Sequence, residues 1–232
     1  MTSVLFVVSA ADGWTLADGS VHPTGYWAEE LAVPHRVFTE AGWQVRLATP
    51  GGVPPTVDRV SLGVAGGLPG KRKKVERYLD SIADQLARPE KLEDVADEDF
   101  DLVFYPGGHG PMEDLSHDAT SGALLARRVA EGLPIALLCH SPAAVLAAGA
   151  KGANPFTGYE MTGLSNLEEK GTPAARKAKW LLQDALEEAG VRYTKATLPF
   201  RPFVVVDRNV YSGQNPQSSE ELATRLVADL GH

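Results

Sequence analysis

Apolar positions in this chain fall into two patterns. Short, nearly unbroken apolar runs alternate with longer stretches whose apolar residues recur at helical spacing. The first run, Val4-Leu5-Phe6-Val7-Val8, lies in a stretch, 3–10, that predicts a buried parallel strand. Residues 12–26 contain Gly, Thr and Pro and read as loop. Residues 27–42 read as helix, with Pro34 near the start of the regular part, where a missing N–H costs least. Residues 44–49 form the next strand. Strand, helix and strand in this order imply a right-handed crossover.

The pattern is then interrupted. Residues 50–70 are rich in Gly and Pro and read as loop. Residues 71–87 predict a charged amphipathic helix, with Val75, Leu79, Ile82 and Leu86 on one face. The basic run Lys71-Arg72-Lys73-Lys74 reads as a solvated helix start. We read about 51–98 as an insertion forming a small cap. Alternation resumes with strands at 101–105 and 133–138 and helices at 121–131 and 142–148. A long helix follows at 172–189, stopped by Gly190. A strand at 203–207 precedes the last helix. Ser218 and Glu221 fit a capping box there, and Leu222, Leu226 and Leu230 line one face. The expected class is α/β: a flavodoxin-like three-layer sandwich with a mostly parallel central sheet. One domain, 1–232, carries the inserted cap.

Composition narrows the function. With 22 basic and 30 acidic residues the net charge is −8, which argues against broad binding to nucleic acid or anionic membrane. No apolar run approaches the ~18 residues of a membrane helix, and no basic region precedes the first apolar run. Cytoplasm is the expected compartment. Cys139 is the only cysteine, so neither an internal disulfide nor a cysteine-based zinc site is available. The one thiol is either buried filler or chemistry.

Four stretches carry groups that could do chemistry. Leu133–Leu138 runs straight into Cys139-His140-Ser141-Pro142. A sharp strand-to-helix turn there would lift the thiol to the carboxyl end of the sheet, where a helix start favours thiolate. Tyr105-Pro106-Gly107-Gly108-His109-Gly110-Pro111 ends another strand. Its glycines either make a tight turn or aim N–H groups at an oxyanion. Glu29-Glu30 either complements a helix dipole or brings a carboxyl group against the thiol. Glu168-Glu169 is either solvated or orients an imidazole.

Together these motifs resemble the ThiJ/PfpI superfamily, which shares its fold with class I glutamine amidotransferases, and within it the Hsp31-type glyoxalase III branch. The resemblance rests on Thr24-Gly25-Tyr26-Trp27-Ala28-Glu29-Glu30 with Pro34, on Gly107-Gly108-His109-Gly110-Pro111 and on Cys139-His140-Ser141-Pro142. Pro54-Pro55 with Asp58 and Ser61, and Gly213-Gln214-Asn215-Pro216-Gln217-Ser218-Ser219, agree with it. The resemblance implies Cys139 as nucleophile, His140 as its partner and Glu30, rather than Glu29, as the active-site glutamate. It points to Glu169 as the triad acid, with Glu168 as fallback. Gly107, Gly108, His109 and Ser141 are the expected oxyanion and substrate contacts, the N–H groups near Gly108 and His140 forming the oxyanion site. The family usually has glycine where this chain has Ser141, whose Cβ or hydroxyl would alter the pocket. The paired His and Glu of true glutamine amidotransferases are missing: after His140 the only histidine is His232.

The implied activity is a cofactor-free, metal-free glyoxalase that takes methylglyoxal and water to D-lactate, in a homodimer. Alternatives are a cysteine hydrolase or hydratase on another small electrophile, and a stress-linked chaperone or redox sensor. A metal site built from His109, His140 and Glu30 is a further alternative.

Overall fold

The computed structural model describes residues 1–150, 152–172 and 174–231; His232 lies outside them. Seven strands form the central sheet, in the order Val204–Asp207, Val210–Gly213, Ile135–Leu138, Leu102–Tyr105, Ser3–Val7, Gln44–Thr49, Glu90–Lys91. Every neighbouring pair is parallel except the outermost two strands at the C-terminal edge. Ser3–Val7 sits between Gln44–Thr49 and Leu102–Tyr105. The chain therefore builds outward in one direction, then returns past its first strand and builds in the other. In open α/β sheets this reversal opens a crevice at the carboxyl ends of the strands, where ligands bind.

Both faces of the sheet are covered. Helices Ala28–Glu40, Pro69–Ser81 and Ser219–Leu230 bury Leu31, Phe38, Val75, Leu79, Leu222 and Leu226 against Val4, Phe6 and Phe104. Helices Ala119–Glu131, Ala144–Ala148 and Leu182–Glu188 bury Leu124, Leu125, Val145, Leu182 and Leu186 against Leu5, Val7 and Ile135. Burial on both faces explains why the strand sequences are apolar runs rather than alternating patterns.

Several elements differ from the sequence reading. The stretch 12–26 contains an antiparallel hairpin, Gly13–Thr15 with Val21–Pro23. It is docked by Glu113, whose carboxylate accepts from the Thr15 N–H and hydroxyl at 2.8 and 2.7 Å. The long helix expected at 172–189 is instead a 3-10 turn, Ala174–Lys177, and a separate helix, Leu182–Glu188. Leu181 between them is extended. The chain is pulled aside because the Lys177 carbonyl accepts from Ala17 at 2.7 Å and its ammonium pairs with Asp18. The Ser218–Glu221 capping box does not form. Ser218 bonds the backbone of Phe203 instead, accepting from its N–H at 3.0 Å. Two members of the basic run are engaged: Lys71 pairs with Glu29 at 2.6 Å, and Arg72 bonds the Leu62 carbonyl at 3.1 Å. From the stretch read as a cap, Glu90–Lys91 adds an edge strand to the sheet, and Leu92 and Val95 enter the core.

Candidate active site

Three sheet-end segments meet at the strand-order reversal. Ile135–Leu138 ends in Cys139, whose φ of 60° is left-handed. That region is costly for a residue with a Cβ and persists only where the surroundings enforce it. Here the Cys139 N–H bonds the Gly213 carbonyl at 2.8 Å and its carbonyl accepts from Leu164 at 2.9 Å. The turn is thus pinned on both sides, and the side chain stands at the sheet's carboxyl edge. Its exposure is only 3%.

Cys139 Sγ lies 3.3 Å from His140 Nδ1. The other ring nitrogen of His140 bonds Glu169 Oε2. The second oxygen, Oε1, is 2.9 Å from His109 Nε2. One buried carboxylate thus serves two imidazoles. Burial alone would push the Glu169 carboxyl up, but the two histidines hold it well below the usual carboxylate range. His109 is pushed down by burial and by His140, and Glu169 opposes this only in part. A neutral His109 with Nε2 protonated donates to Glu169 and leaves Nδ1 as an acceptor. The donor atoms of His109, His140 and Glu169 lie within 4.8 Å of one another. Glu30, the carboxylate expected with these histidines in a metal site, is not in that group.

Glu30 also bears on the thiol. It is fully buried at the start of Ala28–Glu40. Glu30 Oε2 accepts from the Gly107 N–H at 2.9 Å. Its Oε1 is buried without a hydrogen-bond partner of ordinary geometry. Burial pushes the Glu30 carboxyl well above its usual range, against the pull of the Cys139 thiol and the Gly107 N–H. The Cys139 thiol is likewise pushed well up, by burial and by the Glu30 carboxylate. Burial thus works against the thiolate expected from a helix start. Two acids share a dry site, and burial favours the protonated form of each.

The two glycines are required by close approach. A Cβ on Gly107 would fall 2.4 Å from the Leu138 carbonyl oxygen and 2.6 Å from Glu30 Oε2. Gly108 has a φ of 100°, and a Cβ there would meet Gly25 O at 2.3 Å. Two of the expected substrate contacts are otherwise engaged. The Gly107 N–H belongs to Glu30. Ser141 is fully buried and knits the sheet edge, donating to Tyr105 O and accepting from the Leu138 N–H, both at 2.7 Å. Its hydroxyl therefore does not face a substrate. The N–H groups of Gly108 and His140 donate to no acceptor among the described residues, and remain the oxyanion candidates.

Each flanking motif has a local role. Ser61 Oγ accepts from the Ala28 N–H at 3.1 Å and starts the helix that carries Glu30. Asp58 accepts from Thr24 at 3.0 Å. Gln214 and Asn215 donate to Glu168 at 2.7 and 2.8 Å. Sequence reasoning missed Trp14, which lies in the stretch read as loop. Its ring stacks on His109 at 4.4 Å and 18°. A cleft of about 620 Å³ opens beside His109, Trp27 and Asp58, walled by Leu16, Val21 and Val60. A larger cleft, about 850 Å³, lies away from the thiol, along Glu29, Lys71 and Tyr78.

Comparison with known proteins identifies the family and the fold. The sequence profile of the DJ-1/PfpI family matches residues 22–229. A protein from Staphylococcus aureus named protein/nucleic acid deglycase HchA is 26% identical over 239 residues, covering 98% of this chain and 79% of that protein. The Rapid Encystment Protein 24 kDa of Francisella tularensis superposes with a TM-score of 0.86 and 26% identity over all of both chains. Glyoxalase III from Candida albicans shares the fold, with a TM-score of 0.83 and 24% identity over 99% of this chain and 97% of that one.

Proposed function

This chain belongs to the DJ-1/PfpI family, and from that premise we propose that it is a glyoxalase that converts methylglyoxal and water to D-lactate. The observation that carries the reading is the environment of one thiol. Cys139 has His140 at 3.3 Å, and the buried carboxyl of Glu30 also bears on its titration. A nucleophile, a base oriented by an acid, and a second acid in a dry pocket are the parts that covalent carbonyl chemistry needs.

The steps balance without an outside oxidant. His140 takes the thiol proton, and Glu169 stabilises the imidazolium that forms. Sγ attacks the aldehyde carbon, and the resulting oxyanion faces the N–H groups of Gly108 and His140 before it is protonated. The product is a hemithioacetal. The neighbouring ketone acidifies its C–H, so a base can remove that proton and give an enediol. Reprotonation at the second carbon yields a thioester of the hydroxy acid. Water then cleaves the thioester, releasing lactate and the thiol. Glu30 is suited to proton transfer because burial favours its protonated form, which can donate.

The S. aureus relative's name supports a second substrate for the same chemistry. An adduct of methylglyoxal with an amine or thiol presents the same carbon to Cys139. The deciding experiment measures methylglyoxal loss and D-lactate formation by wild type and Cys139→Ala. Loss of both activities in the variant is expected. Equal consumption by the two proteins would overturn the reading. A peptide carrying the adduct, assayed beside free methylglyoxal, separates the two substrates.

A further inference from the structure

We propose that His109 is a positioning residue: by holding one oxygen of Glu169, it fixes the other against His140 and so supports proton transfer at Cys139. The role rests on the Cys139–His140–Glu169 reading above.

Three observations support it. Glu169 divides its oxygens, Oε1 to His109 and Oε2 to His140. A carboxylate held at one end only could rotate away from its imidazole. Held at both, it keeps one orientation. His109 is itself held: Trp14 stacks on one side at 4.4 Å, and the His140 ring lies 4.2 Å away at 41°. Trp14 belongs to the hairpin that Glu113 docks through Thr15. The hairpin thereby reaches the thiol through Trp14, His109, Glu169 and His140. His109 also lines the cleft beside the site.

The charged and titratable groups around Glu169 and His109 are His140, Cys139, Glu168 and Asp58. Losing the His109 bond frees the Glu169 carboxylate to turn. Glu169 is still held well below the usual carboxylate range by His140, so the loss acts through orientation: a less firmly held His140 takes the thiol proton less readily, and alkylation needs higher pH.

The test follows alkylation of Cys139 by iodoacetamide across pH 4–9, which needs no turnover. A silent glyoxalase assay would therefore count against the proposed function and leave this result standing. For His109→Phe, with no donor, the rate on the acid side should fall roughly tenfold, and its acid limb should move to higher pH. For His109→Gln, whose amide can donate to Glu169, the rate should stay within about twofold of wild type. Trp14→Leu leaves both hydrogen bonds possible and should shift the limb less, in the same direction. Thermal melts identify which variants fold. A folded His109→Phe with the wild-type rate and limb would overturn the proposal. So would His109→Gln as impaired as His109→Phe, since the imidazole itself would then be required. If His109→Phe does not fold, an unmoved limb in Trp14→Leu overturns it equally.

Discussion

Two pairs of adjacent glutamates bracket the thiol, and within each pair the members have different tasks. Glu30 contacts the Gly107 turn and bears on Cys139, whereas Glu29 turns to Lys71 at 2.6 Å. Glu169 serves two histidines. Glu168 accepts from Ser165 N and Oγ, Gln214, Asn215 and Phe200 N. Neighbours on a helix point about 100° apart, so one position cannot substitute for the next. Burial does not distinguish them either: Glu168 and Glu169 are both 1% exposed. What separates them is the partners the rest of the chain brings. A carboxylate that accepts from five fixed donors is a fastener. One whose partners are imidazoles can move protons.

The largest effect should come from Glu30→Gln. It keeps the volume but cannot deliver a proton, and methylglyoxal kcat/KM should fall roughly 10³-fold, within the range for a general acid. A loss below tenfold would remove Glu30 from the proton path. Next is Glu169→Gln, expected to cost roughly 10²-fold through a misoriented His140. If Glu168→Gln proved the more inactive of the two when folded, the division drawn here would be reversed.

Glu168→Gln should act on stability instead. It leaves donors from three chain segments short of an acceptor, at about 2–4 kcal/mol, read from denaturant unfolding. The folded fraction should keep its turnover. Acid unfolding sharpens this point. Although burial pushes Glu168 up, bonds from Ser165, Asn215 and Phe200 hold its carboxyl below the usual range. Its contribution is therefore complete above the ordinary carboxylate range and is lost as pH falls below it. Glu168→Gln should flatten that loss, as measured by stability at pH 7 against pH 3.

The smallest effect is expected for Lys71→Met. Lys71 is 44% exposed, so solvent already screens much of the pair, and stability should change by no more than about 1 kcal/mol. A tenfold loss of activity there would mean that the outer glutamate of the first pair is coupled to the inner one.

Much of this was legible in the sequence. The apolar runs ending at Tyr105 and Leu138 marked two strand ends, and the motifs after them identified the turns that meet. Cys139 stood out by its place at an element boundary, whereas Glu30 was separated from Glu29 only by the family resemblance. The hairpin at Gly13–Pro23 was not legible, because three-residue strands have too short a pattern and dock through Glu113, a distant side chain. The break in 172–189 was hidden for a similar reason: Ala17 and Asp18, far away in the chain, draw Lys177 aside. Ser141 looked like a pocket residue because it stands where the resembled family usually has glycine. The direction of its hydroxyl depends on Tyr105 O, a strand away.

By itself the sequence determined the alternating α/β order, the buried strands and a lone thiol at a strand end beside a histidine. Those follow from local periodicity and from residue types next to one another. The resemblance named Glu30 and Glu169, but only the tertiary structure shows Glu169 on two histidines and Glu168 fastening loops. It also decided that burial pushes both the Cys139 thiol and the Glu30 carboxyl up. Hydrogen-bond partners and desolvation come from segments remote in the chain, and no local pattern encodes them.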